Sequence, residues 1–438
     1  MKSAITKKQY AAEHQSLKDQ IEQKNGKSTE QLYAERAQRV KDVIELRVPD
    51  RVPYSINVNM QTYTGVPNSA AYYDPMVYKT GIRRITVDLE PDMCNAGLPT
   101  SGVALEVLDA KNKLWPGGPI PPNYEYQFVE GEFMKEDEYD MFINDPSGFM
   151  IRRYLPRVYG TMLPLQKLPP LDSLMMGFEG MTPLFASEDF IEMARKMVKA
   201  GQALAKFRKT IGDAYEELAE LGFPPMGTVG ATGAGGAPFD TLSSFLRGMK
   251  GSMVDMYRRP DKLLKACELI LDRRIAVATP ATPNKRGGLN KIGVPLWRGD
   301  KAFMSDAQFK KFYWPGLKRA LQASIDLGFI PIPFFEAEFG DRLEHLLELP
   351  AGKVVASVEY VDAVKAKQIL GGHTALLVRG GPLSSAIWPL NEVESCIKDL
   401  IDKCGKDGGL LLNIRLPDKV KSNEGRAMLQ RIRKYGRY

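Results

Sequence analysis

The chain reads as an α/β protein whose parallel strands close into an eight-stranded (β/α) barrel. Three observations predict this. Strand, polar loop and helix recur at least six times in the second half. The strand candidates are short apolar runs, as at residues 329–334, 354–358 and 374–378, which suits strands buried in a parallel sheet. Charged residues collect just beyond those runs, where barrels of this kind place their chemistry. About eight such units close a barrel.

Residues 1–45 are charged and polar, with Leu32, Ala37, Val40, Val43 and Ile44 at roughly helical spacing. They predict a mobile start followed by a helix, an N-terminal extension to a barrel of residues 46–438. Pro49 and Pro53 stop that helix. Tyr54, Ile56 and Val58 then alternate with Ser55, Asn57 and Asn59 as a first strand, and residues 85–89 (ITVDL) are a second strand candidate. Residues 96–180 are a loop-rich insertion dense in Pro, Gly and aromatics, with short helices expected near 136–143 and 146–154. Long ordered loops often line or lid a pocket, so Trp115, Tyr124 and Tyr126 are candidate apolar walls.

Ser187 opens a long amphipathic helix, and a second helix ends before Gly222 and Pro224. From residue 226 the barrel rhythm sets in. Residues 226–229 are a short strand, and the Gly-rich 231–238 a flexible loop able to approach a phosphate or a corrinoid tail. Helices are expected over 240–257 and 262–277, a strand over 292–297, and a helix over 305–327. The strand at 329–334 leads into helix 343–349. Strand 354–358 leads into helix 363–370, and strand 374–378 into helix 390–404. Strand 409–413 precedes the last helix.

The chain has 438 residues, 44% apolar and 26% charged, which is a globular composition. Its charge is +7, but Lys and Arg are spread along the chain without a basic, aromatic-interleaved block, which argues against nucleic acid. The 4 Cys form no CxxC pair, so neither a disulfide framework nor a zinc finger is indicated. No apolar run approaches the roughly 18 residues that span a bilayer, and the first residues lack the apolar core of a signal peptide. The expectation is a cytoplasmic protein without membrane contact.

The segment FIPIPFFEAEFGDRLEHLLEL, residues 329–349, carries the main chemical candidates. In extended chain Glu336 and Glu338 share one face, with Phe335, Ala337 and Phe339 on the other. Two carboxylates at a strand exit are candidates for acid–base work, set against the plain alternative of solvated loop acids. Arg298, Asp300 and Arg379 stand at predicted strand ends. Either Arg suits a substrate carboxylate, with an Arg–Asp loop tie as the structural alternative. Asn57, in the first strand, is a candidate substrate contact.

Four stretches in this order resemble the uroporphyrinogen decarboxylase superfamily, which includes corrinoid-linked methyltransferases. They are DRVPYSINV, GAPFDTLSSFLRGMKGSMVDMYRRPDKLLKACELI, FMSDAQFKKFYWPGLKRALQASIDLG and TALLVRGGPLSSAIWPLNEVESCIKDLI. The likeness covers residues 220–438 well and 40–60 briefly. It implies a distorted (β/α)8 TIM barrel with its pocket at the strand C-termini, and pairing into a homodimer. The decarboxylases hold a porphyrinogen with an Arg-rich segment after the first strand, and here NVNMQTYTGVPNS has no Arg. The thiol-directed methyltransferases bind zinc through His-x-Cys and a late Cys. Those positions fall on Phe334, Glu336 and the neighbourhood of Ile414, so the usual zinc set is absent. Glu336 with Glu359 is then the carboxylate-based metal candidate. The reading that results is a methyltransferase moving a methyl group from a small O- or N-methylated donor, best a methoxylated aromatic, to a corrinoid protein. The alternatives are decarboxylation of a different acid and a catalytically silent barrel that binds a corrinoid protein or a tetrapyrrole.

Overall fold

Ser28 starts the helix that packs inside the curled sheet. Its Oγ accepts the N–H of Gln31 at 3.2 Å, and the Gln31 side chain accepts the Ser28 N–H at 3.0 Å. In the computed structural model, which describes residues 7–95, 97, 99–175, 177–228, 233–384, 386–418 and 420–438, this helix is α2 (Thr29–Ile44). It buries Leu32, Ala37, Val40, Val43 and Ile44, the residues whose spacing predicted it. The stretch before it, expected as a mobile start, is a helix from its seventh residue, α1 (Lys7–Asn25). Tyr10 and Ile21 bury against the body, and the Arg83 guanidinium stacks 3.8 Å from the Tyr10 ring.

The chain then enters β1 (Tyr54–Asn57). Residues 85–89, expected as a strand, are instead the last turn of α3 (Pro75–Leu89). Asp74 caps that helix by accepting the Val77 N–H at 3.1 Å, and Pro75 fits its first turn. Ile85 and Leu89 lie four apart on its buried face, so helix packing overrides the β-branched run. The loop-rich 96–180 insertion follows, with its short helices at Tyr139–Asn144 and Pro146–Phe149, and then the long α4 (Glu188–Ile211).

Helix α5 (Pro260–Val277), β2 (Lys291–Leu296), α6 (Trp314–Asp326) and β3 (Ile330–Phe335) come next. They are followed by β4 (Val355–Val358), α7 (Ala363–Leu370) and β5 (Ala375–Val378). Helix α8 (Leu390–Leu400), β6 (Leu410–Arg415) and α9 (Ser422–Tyr435) complete the chain. The six strands form one parallel sheet in the order β1-β6-β5-β4-β3-β2, curled as half a barrel. Eight strands were expected. The insertion's Lys113–Leu114 and Gln127–Phe128 pair apart as a small antiparallel sheet. Across the gap between the edge strands β1 and β2 the described residues make single bridges in place of further barrel strands. Asp92 donates its N–H to Tyr54 O at 2.8 Å, Met226 to Cys94 O at 2.8 Å, and Thr228 to Lys291 O at 2.7 Å. The strand expected at 226–229 is reduced to these contacts. Its last residue and the start of the Gly-rich 231–238 loop lie outside the described residues.

The sheet is uneven for a chemical reason. Ile330 and Glu336 donate their N–H groups toward β2, to Asn290 and Leu296, at 2.7 and 3.0 Å. The alternate residues Pro331 and Pro333 therefore face β4, and proline has no N–H to give. β4 pairs with β3 only at Phe334 and Phe335. Inside the curl, Val40, Val43 and Ile44 of α2 pack on Ile330, Ile332, Val355, Leu377 and Leu411, closing the end where the strands begin. Among the described residues no helix is long and apolar enough to cross a membrane.

Asp92 holds the closing seam. Its fully buried carboxylate accepts Arg39 Nη1 at 2.6 Å, two Arg51 bonds at 2.7 Å and the Tyr54 N–H at 3.0 Å. Burial opposes its charge, but Arg51 and Arg39 hold the carboxyl below the usual carboxylate range. Asp92→Ala leaves two guanidinium groups without their shared acceptor. It is expected to cost about 3–5 kcal/mol in urea unfolding; a loss under about 1 kcal/mol would show that the seam closes without it.

Candidate functional site

A cavity of about 320 Å³ opens at the C-terminal ends of β1, β5 and β6. Asn57 reaches it as the last residue of β1, where its carbonyl accepts the Leu416 N–H at 3.0 Å. Asn413 reaches it from β6 and donates to Ser55 Oγ at 2.8 Å, which fixes its amide. Tyr72 and Tyr78 form one side. The insertion brings Tyr124 and Tyr126, 63% and 50% exposed, to the mouth. Trp115 goes elsewhere: it is buried, and its indole N–H donates to Tyr73 Oη at 3.0 Å.

Arg379 is the cation of this cavity. It follows β5, donates its N–H to Val358 O at 3.0 Å, and sets its guanidinium 3.8 Å from the centre of the Phe334 ring. The next residue must be glycine, because a Cβ on Gly380 would fall 1.5 Å from the Glu359 carbonyl oxygen. This close approach brings the ends of β4 and β5 together. Burial works against the Arg379 charge, while Glu359 and Glu336 sustain it.

Glu336 keeps part of its surface open to solvent. The surrounding protein still pushes its carboxyl up, Glu359 adds repulsion, and Arg379 pulls the other way. Burial also raises the Glu359 carboxyl, again with Arg379 opposing. The Tyr126 phenol is pushed up by burial and by Glu336, so it faces the same group. Glu336, Glu359, Arg379 and Tyr126 thus form one electrostatic cluster. One guanidinium stands against two carboxylates, so both carboxyls lie above their usual range.

The other expected site residues stand apart from it. Glu338 leaves the strand two residues after Glu336, and its charge acts on Lys365. The chain turns between them because Phe335 and Phe339 both bury, ring centres 4.7 Å apart, before Gly340 begins a 3-10 helix. Arg298 pairs with Glu130 of the insertion, over the Phe303 ring. Asp300 accepts the Phe303 N–H at 2.6 Å and shapes a turn. These two residues make no bond to each other, and neither lines the cavity.

Composition gave no hint of what secures the insertion. Arg247 donates to Asp255 at 2.7 Å, to Glu132 at 2.6 Å and to Met134 O at 2.7 Å, and the Tyr139 hydroxyl donates to Asp255 at 2.8 Å. Asp240 was missed as well. Its buried carboxylate accepts the Tyr313 hydroxyl at 2.7 Å and the N–H groups of Arg298 and Trp297 at 3.0 and 3.3 Å, which latches the loop after β2. A Pro followed two residues later by Asp at a helix start was the available signal.

Metal binding at Glu336 and Glu359 does not fit this chemistry. The third member of their cluster is a cation, and no group of three or more His, Cys, Asp or Glu among the described residues is placed to hold a metal ion. Of the positions matching the resembled zinc set, Phe334 lies under Arg379 and Ile414 is fully buried.

Compared as a fold, the chain is similar to a solved methyltransferase from Methanosarcina mazei. The TM-score is 0.54 and the identity 13%, over 91% of this chain and 98% of that one. No protein-family profile and no curated protein matches the chain. Identity this low establishes a shared fold.

Asp240 supplies a pH test of the latch. Burial pushes its carboxyl up to about 7, against the bonds from Tyr313, Arg298 and Trp297. A carboxyl raised on folding stabilises most below its unfolded pKa and loses that contribution as pH rises through the folded one. Wild type is therefore expected to lose stability relative to Asp240→Asn between pH 4 and 8, by up to about 4 kcal/mol. Parallel pH profiles of the two unfolding free energies would place the ionisation elsewhere.

Proposed function

We propose that this chain is a methyltransferase that takes a methyl group from a small O- or N-methylated donor and delivers it to a corrinoid carried on a separate protein. A methoxylated aromatic acid is the donor the cavity suits best. The observation that carries this reading is the Glu336–Glu359–Arg379 cluster beside a tyrosine-walled cavity. The fold it shares with a protein named a methyltransferase supports it further.

Each part has a task. Tyr72, Tyr78 and Tyr126 present flat walls to an aromatic ring. The Asn57 and Asn413 amides orient its polar substituents. Arg379 offers a planar fork to an acidic group on the ring. Reduced cobalt of the corrinoid supplies the nucleophile for the methyl carbon. The carbon–oxygen bond breaks with its electron pair on oxygen, and the neutral Glu336 carboxyl gives its proton to that oxygen. Glu359 favours the neutral form of Glu336 before the step by repulsion. The Arg298 and Asp300 loop serves by keeping the insertion, and so the mouth, in place.

The test follows cobalt spectra with a methoxybenzoate donor and a methyl-free corrinoid protein. Glu336→Gln is expected to lower turnover at least about 100-fold with donor affinity retained; wild-type turnover would remove Glu336 from the reaction. Arg379→Ala is expected to weaken a carboxylated donor about tenfold or more and to leave its uncharged analogue unchanged. Release of carbon dioxide without cobalt methylation would establish the decarboxylase alternative.

A further inference from the structure

A second cavity, of about 160 Å³, lies at the opposite end of the barrel, between α2 and the start of β2. Tyr33, Ala37 and Val40 of α2 form one wall. Pro225, Thr228, Leu289 and Lys291 belong to the other. Lys291 is only 6% exposed. It is in register with Ile330, whose side chain packs with Val40 and Val43 in the inner cluster, so the Lys291 side chain also points into the curl. Its backbone N–H donates to Thr228 Oγ1 at 3.0 Å. Among the described residues, no carboxylate and no hydrogen-bond acceptor meets its ammonium group. Burial pushes that ammonium down to about 8, with the Cys94 thiol acting in the opposite sense. Buried ammonium groups are normally paired, because removing them from water carries a large penalty.

Tyr33 is the second donor. Its hydroxyl oxygen accepts Asn284 Nδ2 at 3.3 Å, and among the described residues its own proton has no acceptor. Burial raises this phenol, and Tyr33 and Lys291 line the same cavity. The amide of Asn290 is already committed, donating to Thr282 O at 3.0 Å. Thr228, Thr282, Asn284 and Asn290 also line the cavity, with Thr228 bonded to Asn290 and Asn284 to Tyr33. Val40, Pro225 and Leu289 supply an apolar side. Lys291 and Tyr33 beside that side match a carboxylate bearing a short aliphatic tail.

We propose that this lower cavity binds a small monocarboxylate, with one oxygen paired to Lys291 Nζ and the other accepting the Tyr33 hydroxyl. Its tail lies against Val40, Pro225 and Leu289. The occupant touches α2 and the segment that bridges the sheet. Met226 of that segment lines the upper cavity, while Gly227 and Thr228 line the lower one. The inference is independent of the methyl-transfer reading.

The experiment measures thermal midpoints of the full chain at pH 7 in sodium propionate, sodium phosphate and sodium chloride of equal ionic strength. Propionate is expected to raise the wild-type midpoint saturably, because it binds only the folded state. Lys291→Met should abolish the shift, and Tyr33→Phe should weaken the apparent affinity about tenfold. No propionate shift, or the same shift in Lys291→Met, overturns the proposal. A shift with phosphate alone overturns the carboxylate assignment. A second readout needs no variant: acylation of Lys291 in wild type, followed by mass spectrometry. Propionate is expected to slow it saturably, and an unchanged rate overturns the site.

Discussion

The seam between β1 and β2 is the constraint on which the rest of the fold depends. A curled parallel sheet exposes two rows of backbone groups, and here single bridges from residues 92–94 and 225–228 satisfy them. The buried Asp92 carboxylate makes that arrangement stable. It ties Arg39 of α2 to Arg51 and the Tyr54 N–H at the start of β1. With β1 fixed at its beginning, Asn57 at its end is fixed too, and with it one wall of the upper cavity.

The two ends of the half-barrel solve opposite charge problems with carboxylates and guanidinium groups. At the strand N-termini one carboxylate meets two guanidinium groups and stays ionised. At the C-termini two carboxylates meet one guanidinium, and both carboxyls are pushed up. The first ratio favours the ionised carboxylate and the second opposes ionisation. Lys291 breaks the pattern as a buried cation that meets no carboxylate among the described residues.

Most strands and helices of the second half were legible in the sequence because each is a local pattern. Short apolar runs between turn residues gave β2 to β6 within a residue or two, and the spacing of apolar residues gave α2 and α7. Residues 85–89 were misread because an ITV run has strand propensity, while the Asp74 cap and the buried face of α3 lie outside that window. The helix of residues 7–25 was hidden by its polar composition, since two cation–aromatic contacts at Tyr10 hold it more than an apolar stripe does. Around the cavity, Glu336 and Arg379 were legible as polar residues at strand ends, and Asn57 as a polar residue of the first strand. The division between Glu336 and Glu338 was not, because it depends on Phe335 and Phe339 turning inward together.

The sequence by itself determined the parallel α/β alternation, the end of the sheet that carries charge, and the two prolines that thin the pairing of β3 with β4. These follow from residue chemistry at fixed spacing, which needs no knowledge of distant contacts. Only the tertiary structure decided that six strands and two bridged segments make the curl. It also decided that Arg298 serves the insertion through Glu130 while Arg379 serves the cavity, and that Lys291 and Tyr33 line one lower cavity. The reason is physical. A side chain's charge state and role are set by the partners and the water around it, and the chain brings those partners from far along its length only when it folds.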